Sequence, residues 1–276
     1  TLHPAVSVRV GQFIVPFLRA FSFNELNLSF LDRPLYTPLG QDRTVIRYLA
    51  PRDIGVMVSG LVGNTDPSAT DPVFEYNLAA MVGRGPNVAT NADGVFLWTL
   101  RLQLHILGLP GPPVESDLRR SETPRVSVGA APYSNCDDRG NWNRGFTFDA
   151  ELRFQGVYAS GAFVWFRNGR ADPSGLGFLA GSDISSGRVS STCAGAVRIP
   201  DPASPTGQRD VDYVARGAHF QIQYAIPHID VEIIRDMEFE ILARIDWVDP
   251  FAPYSDSDPL FGTDAGLAAQ FRPSDY

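Results

Sequence analysis

The sequence predicts an all-β protein, a transmembrane antiparallel up-and-down β-barrel with long outward loops, and three observations carry that prediction. Apolar and polar residues alternate with period two in segment after segment of the 276 residues. Stretches rich in Gly and Pro, which number 25 and 22, separate these segments, and such punctuation favours many strands joined by turns. No run of about 18 apolar residues occurs, so a helical membrane span is excluded and strands are the only elements that could cross a bilayer.

The first strand is expected over residues 6–13, where Val6, Val8 and Val10 oppose Ser7, Arg9 and Gly11. Less regular candidates follow at 52–62 and 73–83. The strongest segment is 95–107: Phe96, Trp98, Leu100, Leu102, Leu104 and Ile106 fill one face, while Thr99, Arg101, Gln103 and His105 fill the other. Strand side chains point alternately to two faces, so six consecutive apolar positions ask for an apolar neighbour over roughly 35 Å of rise. Another candidate lies at 125–132. Beyond it Phe146, Phe148, Ala150, Leu152 and Phe154 oppose Thr147, Asp149, Glu151, Arg153 and Gln155, a dense set of charges for one face. Residues 157–167 continue after a Gln155-Gly156 hairpin turn. Phe220, Ile222, Tyr224 and Ile226 then oppose His219, Gln221 and Gln223, and Phe239, Ile241, Ala243, Ile245 and Trp247 oppose Glu240, Arg244 and Asp246. The last candidate is 262–271. About ten strands result, near the ~9 to 11 residues each that a tilted membrane strand needs.

The connections sort by length. If the first strand runs outward, every second connection lies on the outer side, where barrels of this type place their longer loops; these are 14–51, 84–94, 133–145, 168–216 and 249–261. The inner set holds 63–72, the turn at 155–156, a short break at 227–230 and one long exception, 108–124. Trp98, Trp165, Trp247 and many Phe residues fall on strand faces or near strand ends, as interfacial girdles would.

The formal net charge of −8 argues against a nucleic-acid partner, which calls for a basic face. All 23 basic residues are Arg. Thr1 is not an initiator Met and residues 272–276 read as a turn, so the expectation is a single barrel domain over 1–276, truncated at both ends. Cys136 and Cys193 fall in loops of the same outward side, and a disulfide between them and two free thiols are both open. The four histidines are too scattered for a zinc motif. Gly175, Gly177 and Gly181 do not keep the dinucleotide spacing, and Asp256, Asp258 and Asp264 lack the twelve-residue calcium pattern. Asp149 and Glu151 share a face and would suit acid and base work, but Arg153 beside them points to charge balance. No nucleophile, base and acceptor group arrive together, so neither an enzyme nor a cofactor or metal site is expected.

Five segments resemble the phosphate-selective porin O and P family of Gram-negative outer membranes. Val10-Gly11-Gln12-Phe13-Ile14-Val15-Pro16-Phe17 looks like that family's strand running into its inward-folded loop, and Leu31-Asp32-Arg33-Pro34 like the loop's distal element. Arg52-Asp53-Ile54-Gly55-Val56 with Gly60 resembles the next strand. Residues 149–166 are similar to the family's charged hairpin, with Gly156 at its centre. Residues 217–227, followed by Glu240-Ile241-Leu242-Ala243-Arg244, resemble its Gln-and-Tyr strand and the Glu-x-x-x-Arg strand after it. The matches keep their order from about residue 6 to 271, nearly the whole chain. The resemblance implies a 16-strand barrel, a homotrimer, in which residues 14–51 fold inward as a constriction loop. It also implies that several strands precede Thr1 and two follow Tyr276, and that phosphate or polyphosphate passes along basic side chains, lysines prominent among them. This chain has no Lys.

The function expected is therefore that of an outer-membrane porin, with lipid around it and small polar solutes or ions, anions such as phosphate among them, diffusing passively through it. By the alternation Arg9, Arg101, Arg125, Arg153 and Arg244 face the lumen, while Arg19, Arg33, Arg43 and Arg47 sit in the loop expected to narrow it. Rings of Arg favour anions, since the guanidinium fork suits phosphate oxygens. Asp53, Glu75, Asp149, Glu151, Glu240 and Asp246 stand on the same wall, so each strand Arg is as readily an acid's neutralising partner. Two other readings remain: a structural or adhesive outer-membrane barrel without transport, and a soluble β-sandwich binding module.

Overall fold

The computed structural model describes residues 4–22, 33, 34, 36, 37, 51–66, 68–83, 87, 89, 95–111, 114–118, 120–136, 142–168, 197–200, 208–211, 213–227, 237–249, 260–262, 272 and 273. The chain runs β1 (Ser7–Ile14), a short helix α1 (Arg19–Ser22), β2 (Arg52–Val62), β3 (Val73–Met81), β4 (Leu97–His105), β5 (Arg125–Cys136), β6 (Trp142–Phe154) and β7 (Val157–Asn168). It continues through β8 (Val197–Pro200), β9 (Gln208–Val211), β10 (Tyr213–Ala225), β11 (Met237–Glu238), β12 (Glu240–Asp249), β13 (Leu260–Gly262) and β14 (Arg272–Pro273). Ten strands form one antiparallel up-and-down sheet in the order β1-β2-β3-β4-β5-β6-β7-β10-β12-β13; β8 with β9, and β11 with β14, make two small ladders apart from it.

The expected barrel is not closed among the described residues. Closure requires the two edges of a sheet to pair, but β1 pairs with β2 alone and the three residues of β13 pair with β12 alone. The proposed strand at 262–271 is reduced to its first residue, Gly262 in β13, and the rest lies outside the described residues. β5 also runs further than the sequence suggests. Pro132 has no N–H to give to a ladder, and the β4–β5 register accordingly skips Leu100 and Arg101, opposite Pro132 and Ala131. The β5–β6 ladder nevertheless continues through Pro132↔Phe146 to Cys136↔Trp142, so Cys136 closes a strand instead of lying in a loop. Cys193 lies outside the described residues.

The turn between β6 and β7 has two residues with positive φ, Gln155 at 48° and Gly156 at 90°. Two such residues in succession give a turn whose twist matches that of the flanking strands, which lets Phe154 pair directly with Val157. That two-residue turn is at one end of the sheet; β1 and β7 end, and β2 and β10 begin, at the other.

The two faces of the sheet are unlike: one carries exposed apolar side chains and the other buried ionisable ones. Val8, Val10, Val56, Leu78, Trp98, Leu102, Leu104, Phe148, Phe220, Ile222, Ile241 and Ile245 are exposed, Val10 at 75% and Ile245 at 59%. On the opposite face Arg101, His105, Asp149, Glu151, Arg153, Gln221, Gln223, Glu240, Arg244 and Asp246 are buried. A sandwich would bury the apolar rows between two sheets and leave the charged rows outermost, whereas here the apolar rows are the open ones. The only apolar cluster of the buried face sits at the end with the long connections, among the described residues. There Phe13, Val15, Phe17, Leu18, Phe21 and Tyr36 pack with Met57, Met81, Leu97, Tyr133, Phe166 and Val248.

Candidate functional site

The strand register lays the buried face out in rows. One row runs His105, Ser127, Glu151, Ser160, Gln221, Arg244 across β4, β5, β6, β7, β10 and β12. The next, nearer the long connections, runs Glu75, Gln103, Gly129, Asp149, Ala162, His219, Asp246. On the other side lie Arg125, Arg153, Tyr158, Gln223 and Leu242. Period-two alternation therefore puts ionisable groups of distant sequence into one continuous polar wall.

The arginines of this wall are engaged. Arg101 donates from Nη2 to both carboxylate oxygens of Asp149 at 2.7 Å and from Nη1 to the Phe17 carbonyl at 3.0 Å. Arg101 and Asp149 belong to strands two apart, and Gly129 lies between them; a Cβ there would meet Arg101 Nη2 and Asp149 Oδ1, each at 2.8 Å, so a side chain at this position would displace one end of the bridge. Arg153 donates to the Val114 carbonyl at 2.7 Å, lies 3.5 Å from Glu151 and stacks over the Tyr158 ring. Arg244 donates to Asp246 at 2.8 Å and to the Arg33 carbonyl at 3.4 Å. Arg125 donates to the carbonyls of Ala69 and Leu107. Arg9 is exposed on the edge strand β1, and Arg43 and Arg47 lie outside the described residues.

The described parts of 14–51 lie against this wall. Arg19 makes an ion pair with Glu151, and Thr99 Oγ1 donates to the Pro16 carbonyl at 3.2 Å. Burial works against the Arg19 charge, but the carboxylates of Glu151 and Asp149 outweigh it and hold the guanidinium above its ordinary range. The Tyr36 hydroxyl is hydrogen-bonded to His219 Nδ1 at 2.7 Å, and the two rings stack with centroids 5.6 Å apart. Tyr36 seats on Gly217, where a Cβ would come within 2.4 Å of its own. Burial, then the negative charges of Asp149, Asp246 and Glu115, pushes the Tyr36 phenol well above its usual value.

That shift has a pH consequence. A group whose pKa is raised on folding gives its full contribution below the unfolded value, which for tyrosine is about 10, and loses it as the pH rises further. Tyr36→Phe is expected to remove that part of the alkaline destabilisation. Unfolding midpoints of both proteins between about pH 8 and 11 check this; curves that stay parallel refute it.

Glu75, His105 and Ser127 form a chain that sequence reasoning missed. His105 Nδ1 lies 2.7 Å from Ser127 Oγ, and its Nε2 lies 3.1 Å from Glu75 Oε2. Acid, imidazole and hydroxyl in line are the parts of a nucleophilic relay, but Ser127 and His105 are 1% and 2% exposed and a substrate carbonyl has no approach to the hydroxyl. The chain instead ties β3, β4 and β5 together. His105, on the polar face as the alternation expects, is thus buried there. Among the described residues no group of three or more His, Cys, Asp or Glu could hold a metal ion.

Comparison with protein-family models, with curated proteins and with solved structures finds no match.

Proposed function

We propose that this chain is a porin of the bacterial outer membrane, passing small polar solutes or ions by diffusion. The observation that carries the reading is the inversion of the two faces: the exposed side is apolar along strand after strand, and the ionisable groups are on the buried side. Rows of exposed Val, Leu, Ile and Phe are costly in water and stable in hydrocarbon, and a sheet that satisfies its backbone groups between strands can meet lipid if its edges are paired. In this reading the sheet belongs to a closed barrel, a homotrimer, and the segment 14–51 narrows the lumen, as the resemblance to the phosphate-selective porin O and P family implies.

A planar bilayer tests it. The full-length protein is expected to give stepwise ohmic conductance, and a correctly inserted protein that passes no current would favour a structural or adhesive barrel. Anions such as phosphate enter as candidate permeants through the arginines of 14–51. Arg33→Glu is expected to lower the anion-to-cation permeability ratio, read from the reversal potential under a salt gradient; an unchanged potential would remove that segment from the selectivity mechanism.

A further inference from the structure

The connection between β4 and β5 is far longer than its ends require. His105 pairs with Ser127 and the Ile106 N–H donates to the Val126 carbonyl at 2.8 Å, so Leu107 and Arg125 fall opposite each other and two residues would complete a hairpin. The chain spends residues 108–124 instead, and connections of that length in a compact domain are uncommon and often functional. Its described residues fold back over the β6–β7 turn. The Gln155 N–H donates to the Ser121 carbonyl at 2.9 Å and the Gly156 N–H to the Asp117 carboxylate at 2.7 Å, so both amides of that turn are taken by the connection. The same carboxylate accepts from the Ser121 hydroxyl at 2.6 Å, while Arg120 donates to the Ala225 carbonyl at 2.6 Å and lies over the Tyr224 ring. Arg125 holds the root of the connection at the Leu107 carbonyl.

From the turn the connection reaches the polar wall. The Val114 carbonyl accepts from Arg153 at 2.7 Å, and Glu115, Ser116 and Asp117 are each 4% exposed. Arg153 lies 3.5 Å from Glu151, and Glu151 is paired with Arg19 of the segment 14–51. Two segments that start from opposite ends of the sheet are therefore held at successive wall positions of β6, about 7 Å apart by strand rise. The charge of Glu115 is also felt at Tyr36 of 14–51. Chain that lies on the wall takes up room a solute would need. We propose that residues 108–124 form a second inward strap, which narrows the lumen from the turn end and is latched to the β6–β7 turn by Asp117. The proposal rests on the porin reading, since a strap can narrow only a lumen that exists.

Replacement of residues 108–124 by Asn-Gly, and separately Asp117→Ala, in the full-length protein tests it. Single-channel conductance in a planar bilayer is expected to rise about twofold or more in the shortened protein, because a narrowed section adds its resistance in series. In Asp117→Ala, hydrogen exchange at the amides of Gln155 and Gly156, followed by mass spectrometry, is expected to speed up about tenfold or more, with a conductance between those of the wild type and the shortened protein. Asp117→Asn keeps an acceptor for Gly156 and is expected to exchange more slowly than Asp117→Ala, which separates the latch from the lost charge. If the shortened protein fails to assemble, Asp117→Ala decides alone. Equal conductance in wild type and variants, or exchange at 155 and 156 that Asp117→Ala leaves unchanged, overturns the strap while the porin reading stands. Absence of current from every one of these proteins removes the porin reading and the strap with it; current that appears only on shortening makes the strap a plug and supports both.

Discussion

Asp149→Ala is expected to destabilise the protein by about 3 to 5 kcal/mol, the cost of leaving a buried guanidinium without its acid. Both side chains of the pair are nearly inaccessible, at 3% for Arg101 and 2% for Asp149, and the carboxylate meets Arg101 through both oxygens. With Asp149 gone, Arg101 retains the Phe17 carbonyl, which neutralises no charge. The double variant Arg101→Met with Asp149→Leu removes the stranded charge and is expected to recover most of the loss, since a buried pair exchanged for apolar groups is often neutral. Urea unfolding midpoints of the single and double variants check this. A single variant as stable as wild type would mean that the bridge is open to water.

Leu102→Arg distinguishes the two media that could meet the apolar face. Leu102 is 38% exposed and lies between Tyr76 and Ala130 in the ladders on either side. In water an exposed leucine exchanged for arginine changes stability by roughly half a kcal/mol or less. Against hydrocarbon the same change costs roughly 2 to 4 kcal/mol near the midplane, enough to impair assembly. Folding of the variant into lipid vesicles, followed by its resistance to denaturation in a gel, is the measurement; normal assembly would count against the membrane reading.

Period two made much of the sheet legible. Residues 52–62 were bounded as the structure has them, and the opposed rows of β6, β10 and β12 were visible because each alternates without interruption. Lone prolines misled: the reading of β5 stopped at Pro132, yet proline breaks only the ladder toward which its missing N–H would have pointed. The wall's chemistry was less accessible. Alternation places Arg101 and Asp149 on the same side but says nothing of their pairing, which depends on the register of the strand between them. Arg153 was read as the balance for Asp149 and Glu151, and it does approach Glu151, but Asp149 is met by Arg101 and Glu151 also by Arg19, 132 residues away in sequence. The Glu75–His105–Ser127 chain was hidden for the same reason.

The glycine beneath the Arg101–Asp149 bridge bears on how β5 finds its place during assembly. Sliding a strand by one residue swaps its faces and is rejected by the apolar pattern. A slide of two keeps every residue on its own side, and hydrophobicity alone is nearly blind to it. Such a shift would bring Ser127 or Ala131 to the position of Gly129, where a β-carbon obstructs the guanidinium and the carboxylate. The missing methyl thus works as a gauge, favouring one alignment of three strands over the two neighbouring alignments that the greasy pattern would accept.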